Sequence, residues 1–301
     1  MFAKFYKHII RIITISLACS LYLAQTATAN AQDIDLFSPS AAVITYDPFT
    51  GLPGLETLSL DLRNTGPMAR DVTLIVTPDL EADFRLNRPG SSALLFELAS
   101  PQGQASNQLY QANSTLPESQ STIIDILLKV PAGQYADAGD ANTDLKITVV
   151  DSVTQEPLIS EKIVQITART PLRAQTNFAG TSSGFENGTS FSVVDFGEIQ
   201  GGDSRTVNFQ IRGNSDVDIS MESENRGRLI NLTAPDASAI PYQVTADGLH
   251  SSLASPLNFS RRPEKTLAGS SYPLTITLDD MAGGVYAGQY RDIISIDVTP
   301  R

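Results

Sequence analysis

Few side chains in this chain of 301 residues could carry out catalysis or bind a metal. It has one cysteine, Cys19, two histidines and no tryptophan. A Ser-His-Asp triad would have to use His250, in the stretch DGLHSSLAS, and no G-x-S-x-G turn accompanies it. We interpret His250 as a surface-loop histidine and predict that the protein is not an enzyme.

The acidic stretch DAGDANTD comes closest to a metal site. Asp137, Asp140 and Asp144 follow one another at short intervals. Their spacing does not match the D-x-D-x-D-G calcium loop, and no glutamate closes it. There is also no glycine-rich loop that could cradle a phosphate. The sequence therefore predicts an acidic turn at this position, and neither a metal nor a cofactor.

The first 31 residues are typical of a secretory signal peptide. Lys4, Lys7 and Arg11 form a positive segment, the apolar run ITISLACSLYLA follows, and the ANA of residues 29–31 fits the small-x-small cleavage rule. The apolar run is too short to span the roughly 30 Å core of a membrane. We therefore predict export, and cleavage would remove the only cysteine.

The charge balance limits the kinds of partner. The chain has 21 basic and 33 acidic residues, which gives a net charge of −12. Loss of the signal peptide removes three basic residues and no acidic ones, so the mature charge is −15. So acidic a protein is a poor partner for nucleic acid or another polyanion.

An internal repeat organises the rest of the chain. ETLSLDLRN in the first half and TVNFQIRGN in the second place alternate apolar residues on one face, and LKITVV corresponds in the same way to IISIDV. Further pairs of segments recur between them in the same order, roughly 150 residues apart. An apolar period of two residues predicts short β-strands that are buried on one face.

The repeat predicts an all-β protein of two immunoglobulin-like β-sandwich domains in tandem. Turns rich in Gly, Pro, Asn and Asp separate the strands, and no long stretch carries the 3.6-residue period of a helix. We place the signal peptide at 1–31, the N-terminal sandwich at 32–170, a linker rich in Gly, Ser, Thr and Asn at 171–185, and the C-terminal sandwich at 186–301.

The two units differ at their ends. After LKITVVDS the first unit turns through VTQEPL into ISEKIVQITA, which predicts one further strand, a hairpin partner for 145–150. The second unit has no counterpart after IISIDV. A sandwich without this strand exposes a groove of apolar side chains and a row of unpaired backbone groups. We therefore expect the second unit to be incomplete and to accept a strand from another chain.

Four apolar residues are predicted to line this acceptor groove. Ile294, Ile296 and Val298 alternate with polar residues in the last predicted strand, and Val193 lies in the first strand of the same unit. The alternative interpretation is that these residues form the ordinary core of a self-complete sandwich.

Short motifs in the second unit resemble a known family. AGQYRDIISIDVTP, VDFGEIQGG and SENRGRL, the last of these shortly before IPYQVTADG, are similar to the spore coat U-like domain, which builds the subunits of archaic chaperone–usher pili. Tyr46-Asp47-Pro48 extends a weaker likeness over about 40–150. The resemblance implies an incomplete fold, which a periplasmic chaperone completes first and the N-terminal strand of the next subunit completes at the outer-membrane usher. Many of these pilins carry a disulfide, so the absence of a mature cysteine is a departure.

The resemblance also implies a position in the fibre, because two-domain members lie at the tip and adhere. The mature start, QDIDLFSPS, has Ile34 and Leu36 followed by Pro39, which is too short and interrupted to donate a strand well. A subunit that accepts a strand and donates none is terminal. We expect a tip subunit that reaches the cell surface through the periplasm, with the chaperone, the usher, an adjacent pilin and a surface or receptor ligand as partners.

One loop is predicted to make the adhesive contact. Phe49, Leu52 and Leu55 lie in the stretch DPFTGLPGLE, whose glycines and prolines disfavour a strand. The alternative is that they cap one end of the sandwich core.

Two other functions remain open at this point. A self-complete secreted binding module would have the same signal peptide and fold class. A periplasmic pilus chaperone also has two immunoglobulin-like domains, but both would be complete and its charge would be closer to basic.

Overall fold

The computed structural model describes residues 33–79, 83–100, 105–106, 108–178, 185, 191–236, 238–280 and 285–301. All regular secondary structure within these ranges is β-strand, and the strands enclose two separate hydrophobic cores. The predicted all-β fold with two sandwich domains is confirmed. The predicted signal peptide, residues 1–31, lies outside the described residues.

The first domain forms two five-stranded sheets and a short hairpin. Its strands are β1 (Ile34–Phe37), β2 (Ala41–Thr45), β3 (Gly54–Asn64), β4 (Arg70–Pro78), β5 (Arg85–Leu86), β6 (Leu94–Leu95), β7 (Glu97–Ala99), β8 (Ala105–Ser106), β9 (Tyr110–Leu116), β10 (Ser121–Val130), β11 (Gly139–Asp151) and β12 (Lys162–Thr170). One sheet has the order β1-β3-β10-β7-β8, the other has the order β2-β12-β11-β4-β9, and β5 pairs with β6.

The second domain has a larger and a smaller sheet. Its strands are β13 (Ala174–Phe178), β14 (Ser204–Gly213), β15 (Val217–Ser223), β16 (Arg228–Asn231), β17 (Ala239–Ala246), β18 (Leu249–Ser251), β19 (Leu257–Arg261), β20 (Ser270–Leu278), β21 (Tyr290–Arg291) and β22 (Ile294–Pro300). The larger sheet has the order β13-β14-β20-β17-β16-β21, with β18 beside β17, and the smaller has the order β19-β15-β22.

The alternation of apolar and polar residues explains which face of each strand is buried. In β3, Leu58, Leu60 and Leu62 are fully buried, whereas the intervening Ser59 is exposed. Phe209 and Ile211 have the corresponding places in β14. Burial of one such side chain contributes about 1.5–3 kcal/mol, so these alternating rows provide much of the driving force for each sandwich.

The connection between the domains is shorter than the sequence indicates. Residues 174–178 lie within the predicted linker, 171–185, but they form β13, which pairs with β14 inside the second domain. Asn214 holds the chain just before this strand. Its side-chain Nδ2 donates to the carbonyl of Pro171, and its Oδ1 accepts from the amide of Arg173, both at 2.8 Å.

Side chains from both domains meet around this connection, in a contact region that we call the domain joint. The guanidinium of Arg173 lies 2.7 Å from the carboxylate of Asp47. Arg262 and Lys265 of the second domain bind Asp137 of the first at 2.9 and 3.0 Å, and Ser91 donates to the same carboxylate. The joint is therefore held by paired charges and by hydrogen bonds to the connecting backbone.

Candidate functional site

In the first domain, β11 has a strand along each of its edges. It pairs antiparallel with β12 over residues 139–147 and with β4 over residues 145–151, so Leu145–Ile147 has a partner on both sides. On the far side of β12, β2 runs parallel and continues the sheet. The segment ISEKIVQITA thus supplies the predicted hairpin partner for residues 145–147, whereas residues 148–150 lie beyond the end of β12.

In the second domain, β22 has the position that β11 has in the first. The two strands pair with β15 and β4 in the same register. Ile294, Ile296 and Val298 lie opposite Ser223, Met221 and Ile219, as Leu145, Ile147 and Val149 lie opposite Pro78, Val76 and Leu74. On the other edge of β22, no strand pairs with it in the part of the chain that the structure describes.

Burial differs sharply between these matched strands. Leu145, Ile147 and Val149 have no exposed surface at all, at 0% each. Ile294, Ile296 and Val298 pack against the second core but stay only partly buried. The structure therefore brings together three of the four residues predicted for the groove, on a strand whose inward side chains lack the cover that β12 gives in the first domain.

The fourth predicted residue, Val193, lies apart from this row. Its side chain is 79% exposed, whereas its neighbour Val194 and the nearby Phe196 pack against the second core. In the matching segment of the first domain, Ile44 and Tyr46 are buried. Because alternate residues of an extended chain face opposite sides, Val194 and Phe196 belong on the groove side and Val193 points outward. Because Val193 and Val194 are both apolar, the alternation in the sequence could not show which of the two faces the core.

The segment before β22 is fixed by a partly buried carboxylate. Asp292 accepts hydrogen bonds from the hydroxyls of Tyr242 and Ser223, both at 2.5 Å, and from the amide of Asn225 at 3.0 Å. Burial raises the pKa of Tyr242, and its hydrogen bond to Asp292 raises it further, so the phenol remains a proton donor. The start of β22 is thus held in place although one edge of the strand is open.

The segment predicted to be a poor donor, around Ile34 and Leu36, lies within the first domain. As β1 it pairs antiparallel with β3, with Leu36 opposite Leu62. Ile34 and Leu36 are 2% and 7% exposed, and both belong to the first core. These apolar side chains are therefore already used inside their own domain.

The predicted adhesive loop lies at the domain joint, and this changes its interpretation. Phe49 is only 5% exposed, lies 6.4 Å from the ring of Tyr135 and carries the guanidinium of Arg212 over its ring at 5.3 Å. Its assignment to an exposed contact surface is corrected, because the second domain covers its ring. Leu52 and Leu55 are 66% and 52% exposed. Leu55 belongs to β3 and pairs with Lys129, so the expectation that this stretch disfavours a strand is wrong at its end. The sequence could not show the contact of Phe49, because Arg212 comes from the other half of the chain.

The acidic stretch does not form a cluster. Asp137 belongs to the domain joint, and Asp140 makes two hydrogen bonds with Arg169, at 3.0 and 3.1 Å. Among the described residues, no group of three or more His, Cys, Asp or Glu side chains could hold a metal ion. His250 is exposed, and its Nδ1 lies 2.8 Å from the hydroxyl of Thr245.

Solved structures similar to this chain include pilus adhesins and their complexes. One is a chaperone–tip adhesion subunit pre-assembly complex from the archaic chaperone–usher Csu pili of Acinetobacter baumannii, with 11% identity, a TM-score of 0.48, and coverage of 88% of this chain and 99% of that one. Another is the CupB6 tip adhesin of Pseudomonas aeruginosa, with 12% identity, a TM-score of 0.38, and coverage of 89% and 93%. A mutant of the CFA/I adhesin CfaE of enterotoxigenic E. coli has 13% identity, a TM-score of 0.40, and coverage of 87% and 93%. These values are too low for the likeness to bear on function.

No protein-family model and no curated protein matches the chain. The similarity to the spore coat U-like domain therefore rests on the motifs quoted from the sequence. Over the described ranges, no helix has the length and the apolar character that crossing a membrane requires.

Proposed function

We propose that this protein is a structural and adhesive subunit of a chaperone–usher pilus, and that its second domain joins the fibre by accepting a β-strand from another chain. The observation that carries the proposal is the contrast between β11 and β22. The two strands share one register, yet the inward residues of β11 are sealed and those of β22 are partly open. An added strand would cover these side chains and pair with the free edge of β22.

The first domain provides a template for the strand that is accepted. In β12, Val164, Ile166 and Ala168 are all fully buried. By the repeat, the donor would run antiparallel to β22 and present an apolar side chain at every second position. A small residue would fit where Ala168 lies, because there the template strand passes between β11 and β2 at Ala141 and Ile44.

The class of partner follows from the resemblance to pilus subunits. We propose that a periplasmic chaperone supplies the strand first and that an adjacent pilin replaces it at the outer-membrane usher. The predicted signal peptide provides the route to the periplasm and then to the cell surface. The use of Ile34 and Leu36 within the first core supports a terminal, tip position, because these side chains cannot fill another subunit's groove at the same time.

The proposal is tested by strand capture. The chain without residues 1–31 would be mixed with peptides that copy residues 161–170 or the N-terminal segments of pilins encoded beside its gene. We expect a one-to-one complex and a higher unfolding temperature, since a ligand that binds only the folded state stabilises it. A peptide with Asn in place of Val164 and Ile166 is the matched control and should not bind. Absence of any complex, together with cooperative unfolding of the second domain alone, would indicate a self-complete secreted binding module.

For adhesion, we propose two exposed contact residues, Leu52 in the loop and Leu55 near the start of β3. Both side chains are exposed, so replacing them with Ser should leave the unfolding temperature unchanged and reduce attachment of assembled fibres to an apolar surface. Ile123, 66% exposed on β10, provides the control substitution. Unchanged attachment by the double variant would remove this loop from the contact surface.

A further inference from the structure

A cleft of about 440 Å³ opens at the domain joint, and both domains line it. Arg88, Ser91 and Asp137 come from the first domain, and Asp216, Arg262 and Arg301 come from the second. Its volume lies within the range of small-molecule sites, which is about 300–1,000 Å³. The cleft lies at the end of β22, because Arg301 directly follows Pro300 of that strand, and none of Ile294, Ile296 and Val298 lines it.

Arg88 is the unusual side chain of this cleft. Its Nη1 is buried, and no hydrogen-bond acceptor for it occurs among the residues that the structure describes. A buried donor without a partner costs about 1–3 kcal/mol, and more when it is charged, so native proteins rarely leave one in this state. The nearby carboxylate of Asp140 already makes two hydrogen bonds with Arg169.

The guanidinium of Arg88 lies flat against the backbone of Gly139. A β-carbon at Gly139 would come within 2.8, 2.9 and 3.0 Å of Nη1, Cζ and Nη2, which means that the plane of the group faces this glycine. The N–H bonds of a guanidinium lie in its plane, so they point sideways from the glycine rather than into it. Gly139 has φ of +116°, a backbone conformation that other residues rarely adopt.

The other charged side chains of the cleft are already paired. Asp137 binds Arg262 and Lys265, and Asp216 binds Arg262 at 3.1 Å and Arg301 at 4.0 Å. Arg301 also lies 3.7 Å from Asp218. Among the arginines that line the cleft, Arg88 is thus the one with a buried donor that has no partner in the described residues.

We propose that the cleft at the domain joint binds the oxyanion group of a small molecule, with Arg88 as the principal donor and Arg262 and Arg301 beside it. Guanidinium groups match the geometry of carboxylate, sulfate and phosphate oxygens through paired N–H donors. The volume leaves room for a group of monosaccharide size beside the anion. The oxyanion could therefore belong to a sugar acid or be a free inorganic ion, and the experiment must distinguish these two ligands. Because the two domains line the site together, a bound anion would also tie them together.

The test is calorimetric titration of the chain without its signal peptide at constant ionic strength. The probes are glucuronate, neutral glucose, inorganic sulfate and inorganic phosphate. We expect saturable one-to-one binding of at least one anion and none of glucose. Glucuronate would identify a sugar-acid site, whereas sulfate or phosphate alone would identify an inorganic anion site. Absence of saturable binding by all three anions would overturn the proposal.

Substitutions locate the binding. Arg88→Gln should weaken it about tenfold or more, because a charge-assisted hydrogen bond is lost. Arg88→Lys keeps the positive charge but lacks the paired, coplanar N–H donors of a guanidinium. This variant replaces Arg88→Gln in the test if the glutamine variant does not fold. It should also bind more weakly. Arg63→Gln, an exposed change on β3, is the matched control and should bind as the unaltered chain does. Unchanged affinity in either Arg88 variant would place the anion elsewhere and contradict the proposal.

Discussion

At the scale of single residues, the charged and amide side chains at the domain joint define how the two sandwiches are connected. Asn214 makes hydrogen bonds with the backbone of the short connection at Pro171 and Arg173. Asp137 binds Arg262 and Lys265 and accepts a hydrogen bond from Ser91. The side chain of Asp137 is 12% exposed, whereas that of Arg262 is 58% exposed. Solvent therefore weakens the outer part of this network, and its strength depends on the shielded carboxylate.

The pH dependence of the joint can be predicted from Asp137. Burial raises the pKa of this carboxyl, but the hydrogen bonds from Ser91 and Lys265 and the charges of Lys265 and Arg262 outweigh it, and the net pKa lies below its usual value. A carboxyl with a lowered folded pKa adds stability above its unfolded pKa and loses that contribution as the pH falls through the folded pKa. The joint should therefore keep its full strength from pH 7 down to about 4 and weaken below that.

Asp137→Asn measures this contribution. Urea unfolding at pH 7 and 5 should show a loss of about 1–2 kcal/mol in the unfolding free energy, and the difference from the unaltered chain should shrink below about pH 4. Asp125→Asn, an exposed change on β10, should cost much less at every pH. A deficit in the Asp137 variant that is constant down to about pH 2 would show that charge at this site does not stabilise the joint.

At the scale of elements, how far the sequence predicts the structure depends on how local each feature is. The strands around 145–150 and 294–298 could be predicted because alternation is a property of neighbouring residues. The sequence could not predict whether the side chain of Val193 faces the core or the solvent, since Val194 follows it and the apolar alternation fits either residue. The contact of Phe49 with Arg212 joins residues that are far apart in the chain. Within the described residues, β22 has no counterpart of the strand β12 that neighbours β11.

The groove makes an element-scale prediction about β22. Ile296→Asn places an amide at the centre of its inward row and should weaken capture of a donor peptide about tenfold, because about 1.4 kcal/mol of apolar contact is lost. Ser295→Asn introduces the same side chain on the exposed face of the same strand and should bind normally. The comparison is made by fluorescence titration with one labelled donor peptide. Equal affinity of the two variants would show that the inward row of β22 does not contact the donor.

At the scale of the whole molecule, the two domains differ in the strand beside their matched strands β11 and β22. The first domain has β12 between β11 and β2, whereas in the second domain neither β22 nor the segment 191–196 pairs with a strand at that place within the described residues. The first domain is therefore an internal reference for β22, since β11 shows the matched strand with a neighbour on that side.

Hydrogen exchange of the backbone amides tests the central claim most directly, because β11 and β22 are compared within one molecule. In the chain alone, the amides of Leu145–Ile147, which have a strand on each side, should be protected, and those of β22 that face away from β15 should exchange rapidly. Addition of a donor strand should protect these β22 amides and leave β11 unchanged. If the outward amides of β22 are already as well protected as those of β11 without any partner, the second domain is complete and the strand-accepting role is wrong.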